Sequence, residues 1–191
     1  MKPPRKTNRN GGSIVLVLAV AVLTVASVLI VSVASKLRSA EAYRRFRDGV
    51  AELGAVPARS AGITAVAAIA GETATLGLVA VPVTAAAGLL AAGVVFTVFA
   101  VVLARAVTRG AATGCHCFGA TTETVAVRHV VRTGFLALLA FAGGAVGVTA
   151  PAPDPWTAAP ATVAAVAVAA LVVATVVYLD EIVWLFGRPT R

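Results

Sequence analysis

Two sulfurs one residue apart, Cys115 and Cys117, are the only cysteines in a chain of 191 residues. They stand in the run Thr113-Gly114-Cys115-His116-Cys117-Phe118-Gly119-Ala120. The thiolate is the reactive form of cysteine, and neighbouring positive charge favours it. Here Arg105, Arg109 and Arg128 share the same polar stretch, and His116 sits between the sulfurs. A disulfide closing so small a ring is strained, and strained disulfides are oxidising and exchange readily. Gly114 and Gly119 permit the backbone shapes such a ring needs, and Phe118 suits an interfacial anchor. The chemistry this spacing points to is thiol–disulfide exchange. Two plainer readings stand beside it. One is a pair of inert thiols or a static disulfide. The other is a soft-metal site in which ligands drawn from Cys115, His116, Cys117 and His129 hold Zn or Cu(I). Against the metal, residues adjacent in sequence do not easily converge on one ion, and there is no second cysteine pair.

Glu72 is the second candidate. It falls inside an apolar segment, where an ionisable group is costly and marks a pathway or an internal partner. It could serve as a proton acceptor or as a polar contact for a quinone-like ligand or partner helix. Alternatively, it is a neutral carboxyl hydrogen-bonded to a hydroxyl such as Thr75 or Thr97. His129 opens the next apolar segment beside Arg128, a position usual for an interfacial histidine. No phosphate-binding glycine loop, HExxH pair or serine nucleophile elbow occurs, so hydrolase and nucleotide-driven functions have no support.

The elements that must position these groups are membrane helices. The chain is 59% hydrophobic and 13% charged, about half the charged share of a soluble domain. Its charges cluster at the N-terminus, in 36–59, in 105–132 and at the C-terminus. Between them lie apolar runs of about 20 residues, enough to cross a hydrocarbon core of about 30 Å as helix. The expected spans are 13–34, 62–81, 83–104, 129–148 and 161–179, after a disordered basic tail over 1–12. The first is too long for the apolar part of a cleaved signal peptide. Pro82 predicts a tight hairpin near 80–84.

Residues 36–53 read differently: Leu37, Ala40, Tyr43, Phe46, Val50 and Leu53 recur at helical spacing among Lys36, Arg38, Arg44, Arg45, Arg47 and Asp48. This predicts a basic amphipathic helix in the headgroup plane, with Ser39 as N-cap. Gly88, Gly143, Gly144 and Gly147 predict closely packed spans. The fold class is an all-α, polytopic bundle: a four-helix core over 13–148, then a Pro-rich loop, a fifth span and a short tail in 149–191.

The net charge of +8 does not indicate nucleic acid, because the basic residues flank apolar spans where they meet anionic headgroups. The partner is the bilayer of the cell membrane. Six Lys and Arg in 36–59, four in 105–132 and two in the C-terminal tail fall on one side, against four in the N-terminal tail on the other. The positive-inside rule puts the cysteine segment in the cytoplasm. Disulfide chemistry for exported proteins would put it outside.

The order of these features resembles the methylamine-utilisation MauE family, grouped with DoxX-like redox-associated membrane proteins. The matching residues are Ser35-Lys36-Leu37 closing the first span, Phe46, Glu72, Cys115-His116-Cys117-Phe118-Gly119, and Arg128 leading into the next helix. The resemblance covers roughly 13–148. It implies a four-helix membrane bundle related in outline to quinone-linked thiol oxidoreductases. It further implies that Cys115 and Cys117 are a redox pair, working with a thioredoxin-like or exported redox protein in disulfide formation or electron supply for its maturation. A quinone enters as a candidate electron acceptor. His116 stands where the family pattern has a small residue, and Thr133 where it has asparagine; both loosen the tie to methylamine as substrate. A non-catalytic membrane scaffold with structural cysteines, and a small-solute or metal carrier, are the competing functions.

Overall fold

The computed structural model describes residues 9–54, 56–110, 127–149, 163 and 165–175. Among them are five long helices: α1 (Arg9–Leu37), α2 (Ala40–Gly54), α3 (Ala58–Ala80), α4 (Ala85–Thr108) and α5 (Val127–Thr149). A shorter apolar helix, α6 (Ala165–Thr175), follows. Four of them are long and apolar enough to cross a membrane: Leu16–Leu37 within α1, then α3, α4 and α5. The chain is a multi-pass helical membrane protein. Each of the first four expected spans is matched by a helix, with ends displaced by a few residues. α6 is the described part of the fifth; its remainder, residues 1–8 and the Pro-rich 150–162 lie largely outside the described residues.

Glycines fix the helix directions. A side chain at Gly88 would strike Val79 and Leu78 in α3, so α3 and α4 close as a hairpin with little space between them. The turn is built as Pro82 requires: Val81 is extended, at φ −94 and ψ 119, because the residue before proline is pushed out of the helical region. Thr84 then ties the turn down by donating to the Leu78 carbonyl at 2.8 Å. Across the bundle, Gly143 of α5 abuts Ala21, and Gly147 abuts Leu18 and Ala86. Gly93 of α4 abuts Phe141, and Gly144 abuts Leu90. Moving up α5 therefore means moving down both α1 and α4. α1 and α4 run one way, α3 and α5 the other.

The ring of contacts runs α1–α3–α4–α5 and back to α1, with α4 and α5 most closely joined. Its core is Val25, Val28, Leu29, Leu89, Phe96 and Leu136 with small residues between them. Close approach through Gly and Ala supplies the dispersion contact that holds helices together where lipid removes the hydrophobic incentive. One end of the bundle thus collects the C-termini of α1 and α4, the N-termini of α3 and α5, and all of α2.

α2 begins at the expected cap, with the Ala42 amide donating to Ser39 Oγ at 3.0 Å. Its apolar face, Ala42, Phe46, Gly49 and Leu53, is buried against α1, α3 and α4. The sequence placed Lys36 on the polar face of this amphipathic segment. In the structure α1 runs on through Leu37, and Lys36 is 1% exposed. The helix break falls at residues 38–39, where Ser39 caps the next helix, so Lys36 follows α1's inward face.

A buried ion pair and an apolar cavity

Lys36 and Glu72 form an ion pair at the centre of this arrangement. The Lys36 ammonium donates to Glu72 Oε1 and to Ser32 Oγ at 2.9 Å. Ser32 Oγ in turn donates to Glu72 Oε2 at 3.2 Å. Both carboxylate oxygens are thereby engaged, and Glu72 is 1% exposed. Helical geometry brings the groups together. Ser32 and Lys36 are one turn apart on one face of α1. A helical Cα–Cβ bond leans toward its own N-terminus. Because α1 and α3 are antiparallel, Lys36 leans into the bundle and Glu72 leans up to meet it. Phe46 of α2 and Phe99 of α4 complete the enclosure, with their ring centroids 4.6 and 5.4 Å from the ammonium. Ring faces attract a cation, so four helices converge on one charge.

The hydroxyls expected beside Glu72 are not its partners. Thr97 donates to the Gly93 carbonyl at 2.7 Å, and Glu72 turns to Lys36 and Ser32 instead. The signal was present in the sequence: a lone carboxylate in a span calls for a counter-charge, and a lysine ends the preceding span. His129, expected at the interface, is buried at 2% exposure, together with Arg132 and Thr133. They form the first turns of α5's inward stripe.

Cys115 and Cys117 lie outside the described residues, as does His116. The connection that carries them leaves α4 after Thr108 and enters α5 at Val127. Gly110, at φ 65, ends α4 in the left-handed conformation that closes many helices. Next to it Arg109 donates to the Leu53 carbonyl of α2 at 2.7 Å, and Leu53, Leu103 and Ala106 pack together there. Both anchors of the cysteine connection therefore belong to the end of the bundle that α2 occupies. Among the described residues no cluster of three metal-binding side chains occurs.

α3 and α4 touch closely at Gly88, but α2 packs between their other halves. The result is a cavity of about 350 Å³ walled by Phe46, Leu53, Ala68, Gly71, Val98 and Phe99 among others. A quinone head presents two carbonyl oxygens that need hydrogen-bond donors. Thr64 is the one hydroxyl on the wall, and its proton goes to the Ser60 carbonyl at 3.1 Å. The Lys36 ammonium is engaged by Glu72 and Ser32, behind the rings of Phe46 and Phe99. Among the described residues, the wall does not fit a quinone head.

A family model described as methylamine utilisation protein MauE matches residues 14–146, well over half of the chain. The chain belongs to the MauE family. The matched segment runs from α1 through α5 and takes in the Lys36–Glu72 pair and the cysteine connection. No curated protein and no solved structure matches it. As a MauE protein, the chain is tied by its family to methylamine utilisation and to the membrane.

Proposed function

We propose that this MauE-family chain is a thiol–disulfide redox protein of the cell membrane, with Cys115 and Cys117 as the exchanging pair. In one direction of the exchange, a partner thiolate attacks the Cys115–Cys117 disulfide. A mixed disulfide forms and one sulfur leaves as thiolate. The second partner thiol then resolves the mixed bond. Two electrons and two protons pass to this chain, which becomes the dithiol, and the partner gains the disulfide. A thioredoxin-like protein, or an exported redox protein met before its export, meets that description.

The observation that carries this reading is the Cys-x-Cys spacing in the connection anchored at Gly110 and Val127. Exposed Arg105 and Arg109 stand beside those anchors, and positive charge of that kind favours thiolate. Glu72 takes the part of a positioning residue: with Lys36 and Ser32 it fixes α1 against α3, and through Phe46 and Phe99 it fixes α2 and α4, beneath the working end. The arginine-rich character of this end supports a cytoplasmic placement under the positive-inside rule.

The test is mixed-disulfide trapping in cells, with Cys117→Ser and Cys115→Ser. One of the two variants should accumulate a reducible adduct with a thioredoxin-like protein, and both should lose the exchange activity. If neither captures a protein and both keep wild-type function, the cysteines are structural and the reading fails.

A further inference from the structure

The cavity between α2, α3 and α4 has two properties that identify its occupant. The first is where it opens. Thr64 and Ala67 of α3 and Val94 and Val98 of α4 line it and are also exposed on the bundle's outer surface. In the spans, that surface faces lipid, so the occupant enters sideways from the hydrocarbon phase. Its volume of about 350 Å³ is more than twice the roughly 150 Å³ of an apolar cavity that stays dry and takes up benzene. An apolar space of that size, open to the hydrocarbon phase, has room for an acyl chain.

The second property is the charge at its rim. Leu53, which lines the cavity, accepts the hydrogen bond from Arg109. Arg105 lies one turn before Arg109 on α4, and Arg59 lies three residues beyond Val56, another wall residue; all three arginines are exposed. Asp48 and Glu52 are the nearby exposed acids on α2, and Asp48 is paired with Arg47, leaving the rim with an excess of positive charge. Guanidinium groups bind phosphate through several N–H donors at once; Arg109 spends Nε on the Arg105 carbonyl and Nη2 on that of Leu53, which leaves Nη1 to face a phosphate. Toward its other end, the cavity stops at Gly71, Val94 and Val95, with no donor for a polar head.

We propose that this cavity is a binding site for one anionic phospholipid, with an acyl chain lodged between α3 and α4 beneath α2 and its phosphate held by the arginines near Leu53. The lipid completes the packing that α2 leaves open. This inference stands apart from the redox reading, since it uses neither cysteine.

Native mass spectrometry of the full-length protein in mild detergent tests it, with phosphatidylglycerol and phosphatidylcholine as the added probes after delipidation. About one phosphatidylglycerol per chain should be retained, at least fivefold over phosphatidylcholine. Ala68→Trp and Val98→Trp each fill the cavity and should lower retention at least fivefold while helicity by circular dichroism stays at the wild-type level. Should one of the two misfold, the other supplies the result. Arg109→Gln should reduce the preference for phosphatidylglycerol and leave chain uptake in place. The proposal is overturned if no lipid is retained, if both lipids bind equally, or if a folded tryptophan variant retains lipid like wild type. It is equally overturned if solvent extracts of the purified protein contain a stoichiometric quinone, or if a second polypeptide occupies the site.

Discussion

Removing one member of the Lys36–Glu72 pair should cost far more than removing both. Two unit charges about 4 Å apart interact by about 4 kcal/mol at an effective dielectric near 20. Stranding one member of a buried pair typically costs about 3–5 kcal/mol, whereas an apolar replacement of both is often close to neutral. Each side chain is only 1% exposed, so solvent cannot take the place of the lost partner. Lys36→Met and Glu72→Met should therefore each lower stability by about 3–5 kcal/mol, which is roughly two to three and a half decades in the unfolding equilibrium. The double variant K36M/E72M should recover most of that loss. Reversible unfolding in mixed detergent and dodecyl sulfate micelles, followed by circular dichroism, gives the four free energies of the cycle. A coupling below about 1 kcal/mol, or strictly additive losses, would refute the argument that the pair is held in a low-dielectric core.

Other substitutions test the packing and the topology. Gly143→Leu should destabilise the bundle by about 1–3 kcal/mol through overpacking, because even a Cβ there would stand 2.5 Å from that of Ala21. Gly134→Ala, with nothing within 4 Å of the new methyl, should stabilise α5 by about 0.5–1 kcal/mol; melting temperatures of the two proteins should move in opposite directions. Ser39→Ala should cost about 0.5–2 kcal/mol by removing the cap of α2, seen as faster amide exchange at its first turn. An impermeant maleimide applied to intact, reduced cells should label Cys115 and Cys117 only after lysis. Efficient labelling without lysis would reverse the orientation.

The spans were legible because each depends on a single local quantity, an apolar run long enough for the bilayer, and the hairpin because Pro82 acts on its immediate neighbour. The glycine contacts were legible as a tendency, although which helix each would meet was not. Lys36 was misplaced because its meaning depends on where α1 stops. A lysine just before a helix break looks like any flanking charge until the break is seen to fall at residues 38–39, beyond it. Glu72 was recognisable as a site from its type and depth. Its partner, 36 positions earlier in sequence, could be reached only by asking which cation lies beside a span. The cavity left no mark in the sequence, since it arises from α2 wedging between two helices whose own residues look ordinary. The cysteine pair was the clearest chemical signal in the chain, and it rests on spacing and family resemblance.

The four-residue turn after Ala80 also bears on how the molecule is made. Val81, Pro82, Val83 and Thr84 carry no charge, so α3 and α4 can enter the bilayer as one hairpin without dragging an ion through it at their tip. Glu72 is the costly passenger in that hairpin. Chains emerge from the ribosome N-terminus first, so α1, and Lys36 with it, is already lodged when the acid arrives. Order of synthesis thus delivers the cation ahead of its counterpart, and the lipid need never host the carboxylate alone.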